Sequence, residues 1–180
     1  MRIVRAAVVA GVLALLGLLV WDVAHNHGSG VAGKVDKGKI VPAPKLDLPR
    51  LGASGKLSLA SLRGKVVVVN FWQSSCVPCK EEARTLAAAA KEWKTRNPDV
   101  VFVGVDALDF DGPAKAYLRR YGVEYPNVRD ATGKTYPNWG VTGVPETFFV
   151  DRRGRVVPPH IISTASRQEL DAGIRRALAS

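Results

Sequence analysis

The residues of this sequence that most directly suggest chemistry are two cysteines, Cys76 and Cys79, in the stretch FWQSSCVPCKEEA. They are the only cysteines in a chain of 180 residues. A pair with this spacing can bind a metal, attach a haem, form a structural disulfide or exchange electrons. Structural zinc needs four ligands, and the chain has no second cysteine pair. Covalent haem attachment needs a histidine directly after the second cysteine, where this chain has Lys80.

Redox chemistry is the favoured interpretation of the pair, and we expect neither a metal nor a cofactor. A disulfide that closes so short a loop adds little stability, because the gain grows with loop length. The β-branched run Lys65–Phe71 predicts a buried strand before the cysteines, and Val77–Arg96 has the periodicity of an amphipathic helix after them. Cys76 would then lie at a helix N-terminus, where free N–H groups and the helix dipole favour a thiolate. Cys79 would lie on the same helix face, where it can attack a mixed disulfide at Cys76.

The rest of the chain alternates strands and helices, which predicts an α/β fold with a mixed central β-sheet flanked by helices. The predicted elements are an N-terminal hairpin within Leu46–Leu62, strands at Val100–Asp106, Asn127–Arg129, Thr147–Val150 and Arg155–Val157, and helices at Asp111–Tyr121 and Ser166–Ala179.

The N-terminal segment differs in character from the rest. Residues 1–21 are mostly apolar and follow the positive-inside pattern, which predicts a single N-terminal transmembrane helix with the remaining chain outside the cytoplasm. An uncleaved anchor is favoured over a cleaved signal peptide, which is the alternative. Residues 22–42, rich in glycine and polar residues, predict a flexible linker, and residues 43–180 predict the folded domain. The net charge of +10 is spread along the chain, so it indicates a basic surface and no nucleic-acid partner.

Two stretches, VVVVNFWQSSCVPCKEEA and GVTGVPETFFVDRRGRVV, resemble the membrane-anchored thioredoxin-like proteins of bacterial cytochrome c biogenesis, the TlpA/ResA/CcmG (DsbE) group. The resemblance covers nearly the whole domain. It implies a thioredoxin-like fold with an N-terminal β-hairpin extension, on the outer side of the cytoplasmic membrane. It also implies that Cys76 is the nucleophile and Cys79 the resolving thiol. Pro145 matches the family's cis-proline, and the backbone of Val144 would pair with an extended substrate.

Further site residues follow from the same resemblance. Glu82 matches an acidic residue that would assist proton transfer at Cys79, although a helical glutamate at a surface is an equal alternative. Glu146 would contribute to an acidic substrate groove, or else lie exposed at a strand edge. Trp72 matches the tryptophan beneath the active-site loop, and together with Val144, Pro145 and Glu146 it is a predicted substrate-binding residue. The chain departs from the family at Ser75, where a tryptophan is usual. Thioredoxins carry a buried aspartate where this chain has Asn70, so we expect either that Glu82 replaces it or that thiol deprotonation is slower.

The function predicted from these residues is that of an extracytoplasmic thiol–disulfide oxidoreductase. The preferred hypothesis is a reductant of protein disulfides, such as the haem-site cysteines of apocytochrome c. The resemblance implies that its electrons come from a membrane donor of the DsbD/CcdA type. A disulfide oxidase or isomerase on the same fold is the main alternative. A non-catalytic metallochaperone is less favoured, because copper-carrying relatives have a wider cysteine spacing.

Overall fold

The computed structural model describes residues 11–18, 20–21 and 30–180. Residues 11–18 and 20–21 are helical (α1), and apolar side chains such as Leu13 and Trp21 are exposed there. Among the residues that the structure describes, no helix is both long enough and apolar enough to span a membrane. Residues 1–10, 19 and 22–29 lie outside the described part, and with them much of the predicted anchor and linker.

A six-stranded mixed sheet forms the centre of the domain. Its strands are β1 Val41–Pro42, β4 Val66–Trp72, β5 Val100–Ala107, β6 Asn127–Asp130, β7 Glu146–Val150 and β8 Arg155–Ile162. Their order in the sheet is β1-β8-β7-β4-β5-β6. β4 runs parallel to β5 and antiparallel to β7, and β5 runs parallel to β6. β4 and β7 are buried on both faces, as expected for strands covered on each side. The predicted mixed sheet is confirmed.

The two faces of this sheet are covered by different elements. On one face lie α3 (Val77–Arg96), α4 (Asp111–Tyr121) and α6 (Arg167–Leu178), with α6 starting in a capping box formed by Ser166 and Glu169. On the other face lie α2 (Val31–Val35), α5 (Tyr136–Trp139) and the separate hairpin of β2 (Asp47–Pro49) and β3 (Lys56–Ser58), which is followed by the 3₁₀ helix Leu59–Leu62. The predicted N-terminal hairpin is therefore confirmed.

Part of the predicted flexible linker is folded. Within residues 22–42, the described residues 30–42 contain α2 and β1, and β1 adds an edge strand to β8. Val31 and Val35 are buried in the main hydrophobic cluster. Gly30 permits this packing, because a Cβ atom at that position would lie 2.3 Å from Cα of Gly140. The linker prediction was wrong here because three apolar residues among glycines and lysines make too short a pattern to indicate a helix.

β8 continues well beyond its predicted end at Val157. Pro158 and Pro159 suggested that the strand stops, because proline lacks the N–H of a ladder hydrogen bond. In the structure the register between β7 and β8 shifts at this point, and β8 resumes pairing with Thr147 opposite Ile161. This irregularity accommodates the two prolines. It also places His160 within a strand and not after it.

Candidate active site

Cys76 and Cys79 form a disulfide at the junction between β4 and α3. Cys76 is the N-cap residue of α3, and Pro78 lies in the first turn, where a missing N–H costs no hydrogen bond. Cys79 is fully buried, whereas Cys76 is partly exposed. This asymmetry makes Cys76 the sulfur that an external disulfide or thiol can reach, and Cys79 the internal one.

The helix N-terminus acts directly on the sulfur of Cys76. The backbone N–H of Cys79 points at Cys76 Sγ, with an N–S distance of 3.1 Å. This N–H has no partner within the helix and lies at the positive end of the helix dipole. When the disulfide is reduced, both features stabilise a thiolate at Cys76, and the thiolate is the attacking species in disulfide exchange.

Cys79 shares a small hydrophobic cluster with two stacked aromatic residues, Trp72 and Tyr117. Trp72 stacks on Tyr117 with ring centroids 4.3 Å apart, and its Nε1 donates a hydrogen bond of 2.9 Å to Asn127 Oδ1. The Tyr117 hydroxyl donates a hydrogen bond of 2.5 Å to the carbonyl oxygen of Cys79. Trp72 therefore lies in the predicted position under the active-site loop. Its side chain is buried, so it supports the loop and offers no surface to a substrate.

The loop before β7 lies next to the exposed sulfur. The Val144–Pro145 peptide bond is cis, as the resemblance implied. The carbonyl oxygen of Val144 lies 3.4 Å from Cys76 Sγ, and the carbonyl oxygen of Pro145 accepts a hydrogen bond of 2.9 Å from the Ser163 N–H. The structure thus brings Cys76, Val144 and Pro145 together, as the sequence predicted.

Glu146 does not line an open groove, and it is not exposed at a strand edge. Its carboxylate is buried, and it accepts hydrogen bonds from the backbone N–H groups of Thr142 and Gly143 and from the Thr142 hydroxyl. Its second oxygen contacts His160. Burial opposes ionisation of Glu146, but the hydrogen bonds from His160, Thr142 and Gly143 outweigh it and hold its pKa below the ordinary value. A role in direct substrate contact is therefore not what this geometry indicates.

Glu82 is buried, so the alternative of a surface glutamate is wrong. Its carboxylate accepts a hydrogen bond of 2.8 Å from the side-chain amide of Asn70 and one of 2.6 Å from the Ala165 N–H. Burial raises its pKa to about 7, against the lowering effect of these two hydrogen bonds. A carboxyl group with that pKa can both accept and release a proton near neutral pH.

An acidic loop lies beside the cysteines and was not predicted from the sequence. Asp109 accepts a hydrogen bond of 2.6 Å from the Ser74 N–H, and Gln73 donates one of 2.7 Å to the carbonyl oxygen of Leu108. Asp106 is the penultimate residue of β5, lies opposite Trp72 and is fully buried, and its carboxyl oxygens accept no hydrogen bond from a donor among the described residues. The order of strands and helices in the sequence could have predicted this loop, because the carboxyl ends of adjacent parallel strands lie at the same edge of the sheet.

A redox-active cysteine pair at the start of a helix, next to a cis-proline loop on a mixed sheet, defines a thioredoxin-like thiol–disulfide oxidoreductase. The chain belongs to the AhpC/TSA family, whose sequence profile matches residues 41–158. This match includes both cysteines and Pro145.

Known proteins with similar sequences carry related names. The thiol:disulfide interchange protein HelX of Rhodobacter capsulatus is 37% identical over 117 residues, which are 64% of this chain and 63% of HelX. The match thus spans less than two thirds of that relative. The thiol:disulfide interchange protein DsbE of Allochromatium vinosum is 35% identical over 153 residues, which are 83% of this chain and 80% of that protein.

A solved structure agrees with the fold. The crystal structure of a DsbF homologue from Corynebacterium diphtheriae superposes with a TM-score of 0.69 and 26% identity, covering 78% of this chain and 89% of that one. The resemblance to the ResA and DsbE group is therefore confirmed, as is the thioredoxin-like fold.

Proposed function

We propose that this protein reduces protein disulfides outside the cytoplasm, with the haem-site cysteines of apocytochrome c as its substrate class. The observation that carries the proposal is the 3.1 Å contact from the Cys79 N–H to Cys76 Sγ at the start of α3. A donor at this position stabilises the Cys76 thiolate that attacks a substrate disulfide, and the reducing direction is taken from the resemblance to the cytochrome c biogenesis group. Partial exposure of Cys76 beside buried Cys79 supports the same order of attack.

The reaction consists of two exchanges that transfer two electrons to the substrate. The Cys76 thiolate attacks one sulfur of the substrate disulfide, a mixed disulfide forms, and the other substrate sulfur leaves as a thiolate. Cys79 then loses its proton and attacks Cys76 Sγ. This step closes the Cys76–Cys79 disulfide and releases the second substrate sulfur as a thiolate.

Glu82 is the proposed proton acceptor for Cys79. It lies three residues after Cys79 on α3, it is buried, and its pKa of about 7 suits a base that works near neutral pH. Asn70, an amide, cannot take this role. Substrate binding is assigned to the backbone of Val144, whose carbonyl oxygen lies beside Cys76 Sγ and can pair with an extended peptide.

Membrane attachment and the electron donor belong to the same proposal. The apolar residues 6–21 follow Arg2 and Arg5, a pattern that favours an anchor with the catalytic domain on the extracytoplasmic side. A thiol carrier of the DsbD/CcdA type in the same membrane would return Cys76 and Cys79 to the dithiol form after each cycle.

The proposal is tested by the reduction potential of the pair in the full-length protein, equilibrated in thiol buffers. A potential near thioredoxin's, about −270 mV, is the expected result for a reductant. A potential near about −120 mV, as in strong oxidants, would assign the protein to disulfide formation and exclude the proposed direction.

Trapping identifies the substrate class. A Cys79→Ser variant cannot resolve mixed disulfides, so its partners stay bound to Cys76 through a bond that dithiothreitol releases. We expect apocytochrome c among these partners, and a Cys76→Ser variant is the matched control. If apocytochrome c is missing from the partners that depend on Cys76, the substrate proposal is wrong.

A further inference from the structure

His160 connects a buried carboxylate with a partly exposed one. Its Nε2 lies 3.0 Å from Oε2 of Glu146, and its Nδ1 lies 3.1 Å from Oδ1 of Asp36. The side chain of His160 is 2% exposed, and its ring stacks on Phe148 with centroids 4.2 Å apart. An ionised carboxylate only accepts hydrogen bonds, so both contacts are hydrogen bonds when each ring nitrogen carries a proton.

The Glu146 end of this connection reaches the redox site. Oε1 of Glu146 accepts hydrogen bonds from the N–H groups of Thr142 and Gly143, at 2.8 Å and 3.1 Å. These two residues directly precede Val144, whose carbonyl oxygen lies 3.4 Å from Cys76 Sγ. The carboxylate thus fixes the backbone that holds this carbonyl oxygen beside the sulfur.

The other end lies in the segment before the first strand of the sheet. Asp36 is the C-cap residue of α2. The apolar side of α2, with Val31 and Val35, is buried in the main hydrophobic cluster, and this packing fixes the position of Asp36. A continuous set of contacts therefore runs from α2 through His160 and Glu146 to the loop at Cys76.

We propose that His160 is a positioning residue for the redox site, and that Asp36 and Glu146 hold its ring in place. The negative end of the Val144 carbonyl dipole opposes a thiolate at Cys76 and can accept a hydrogen bond from a thiol. The position of this carbonyl therefore sets the balance between the thiol, the thiolate and the disulfide. The inference concerns the redox site itself and does not depend on apocytochrome c as substrate.

Three variants of the full-length protein test the proposal. His160→Phe keeps an aromatic ring for the stack on Phe148 and removes both ring nitrogens. Asp36→Asn removes one charge from a side chain that is 45% exposed. His160→Gln retains a donor for Glu146. Two quantities are measured for each: the equilibrium constant with glutathione, and the pH dependence of Cys76 alkylation.

We expect His160→Phe to change the equilibrium constant about tenfold, because the variant removes the hydrogen bonds from the ring to both carboxylates. Asp36→Asn should change it in the same direction by about threefold, because its partner is more exposed to solvent. The equilibrium constant of His160→Gln should lie closer to that of the wild type than the equilibrium constant of His160→Phe does. The midpoint of Cys76 alkylation should move together with the equilibrium constant in every variant.

Asp171→Asn is the matched control. Asp171 accepts hydrogen bonds from Trp93 Nε1 and Arg167 Nε, so it links α3 with α6 and makes no hydrogen bond to the loop at Thr142. Its loss should lower the free energy of unfolding and leave the equilibrium constant with glutathione unchanged.

Two results would overturn the proposal when His160→Phe folds. One is a folded His160→Phe protein with the wild-type equilibrium constant and alkylation profile. The other is an equal shift in Asp171→Asn, which would make the effect one of general stability. If His160→Phe does not fold, Asp36→Asn decides, and a wild-type equilibrium constant in that variant overturns the proposal. The absolute potential of the wild type tests the proposed direction of electron flow, whereas differences between variants test the role of His160.

Discussion

The side-chain amide of Asn70 donates a hydrogen bond of 2.8 Å to the carboxylate of Glu82 in the protein interior. Asn70 occupies the position at which thioredoxins carry a buried acid, and the contact places the buried carboxylate of Glu82 next to it. The acid here is Glu82 of α3, and Asn70 of β4 donates a hydrogen bond to it. Asn70 also donates to Thr147 Oγ1 at 3.0 Å, which connects this pair to β7.

Glu82→Gln should slow the second exchange, in which Cys79 resolves the mixed disulfide. A positioned general base contributes about 10²–10⁴-fold, so we expect a loss of at least about 100-fold at pH 8. In the wild type the resolution rate should rise with pH through about 7, where Glu82 ionises, and the variant should lack this inflection. Rapid-mixing kinetics with a peptide disulfide measure both steps separately.

The neighbouring glutamate provides the control for this experiment. Glu81 is exposed on the same helix turn, and Glu81→Gln changes the charge of the protein by the same amount. At pH 8, where Glu82 is ionised and the two variants are matched in charge, Glu81→Gln should leave the resolution rate unchanged. Equal rates for Glu82→Gln and the wild type across the pH range would exclude Glu82 as the base.

Asp106→Asn should stabilise the protein at alkaline pH. Burial, followed by the charge of Asp109, raises the pKa of Asp106 from 3.8 to about 7. Between these two values the folded state binds more protons than the unfolded state, so the free energy of unfolding falls as the pH rises. The cost of ionising Asp106 is therefore complete above pH 7 and absent below the unfolded pKa.

We expect Asp106→Asn to be about 1–3 kcal/mol more stable than the wild type at pH 8, with the difference shrinking towards pH 4. Denaturant unfolding at several pH values measures this difference. Asp99→Asn, a change at an exposed aspartate, should show no such pH dependence. A constant difference between Asp106→Asn and the wild type from pH 4 to pH 8 would contradict the prediction.

Local patterns predicted much of the fold and the centre of the site. The run Lys65–Phe71 and the helical periodicity of Val77–Arg96 correspond to β4 and α3, and their junction holds the disulfide. Such elements are predictable because the pattern of each is long relative to its period. The cis peptide bond before Pro145 was predicted only from the resemblance, since no local pattern distinguishes a cis from a trans proline.

Other parts of the site were not predictable because they depend on contacts between distant segments. Glu146 was expected at a groove or an edge, but its environment is set by His160, whose strand was predicted to end at Val157. Asp36 lies in the predicted linker. The helix α2 could not be predicted from its own few residues, because its apolar side chains are stabilised by packing in the main hydrophobic cluster. The alternating pattern of a strand does not indicate which buried polar side chain will find a partner on another element.

Tyr117→Phe tests the support beneath Cys79. The hydroxyl of Tyr117 donates to the carbonyl oxygen of Cys79, so its removal leaves that buried oxygen without this donor. We expect a loss of about 1–2 kcal/mol in the free energy of unfolding, which denaturant titration measures. Tyr121→Phe is the control, because the Tyr121 ring packs against Tyr117 in the same cluster. Equal stabilities for the two variants would contradict the assigned role of the Tyr117 hydroxyl.

Val35→Ala tests whether the segment before β1 is part of the folded domain. Val35 is 1% exposed and packs in the main hydrophobic cluster, so the variant loses two buried carbon atoms and leaves a small cavity. We expect a loss of about 1–3 kcal/mol in the free energy of unfolding, whereas a residue in a flexible linker would show none. Lys34→Ala, at the exposed neighbouring position, should stay within about 0.5 kcal/mol of the wild type.

Because α2 carries Asp36, Val35→Ala should also move the equilibrium constant with glutathione in the direction of Asp36→Asn. If Val35→Ala is less stable but keeps the wild-type equilibrium constant, α2 belongs to the core and does not influence the redox site.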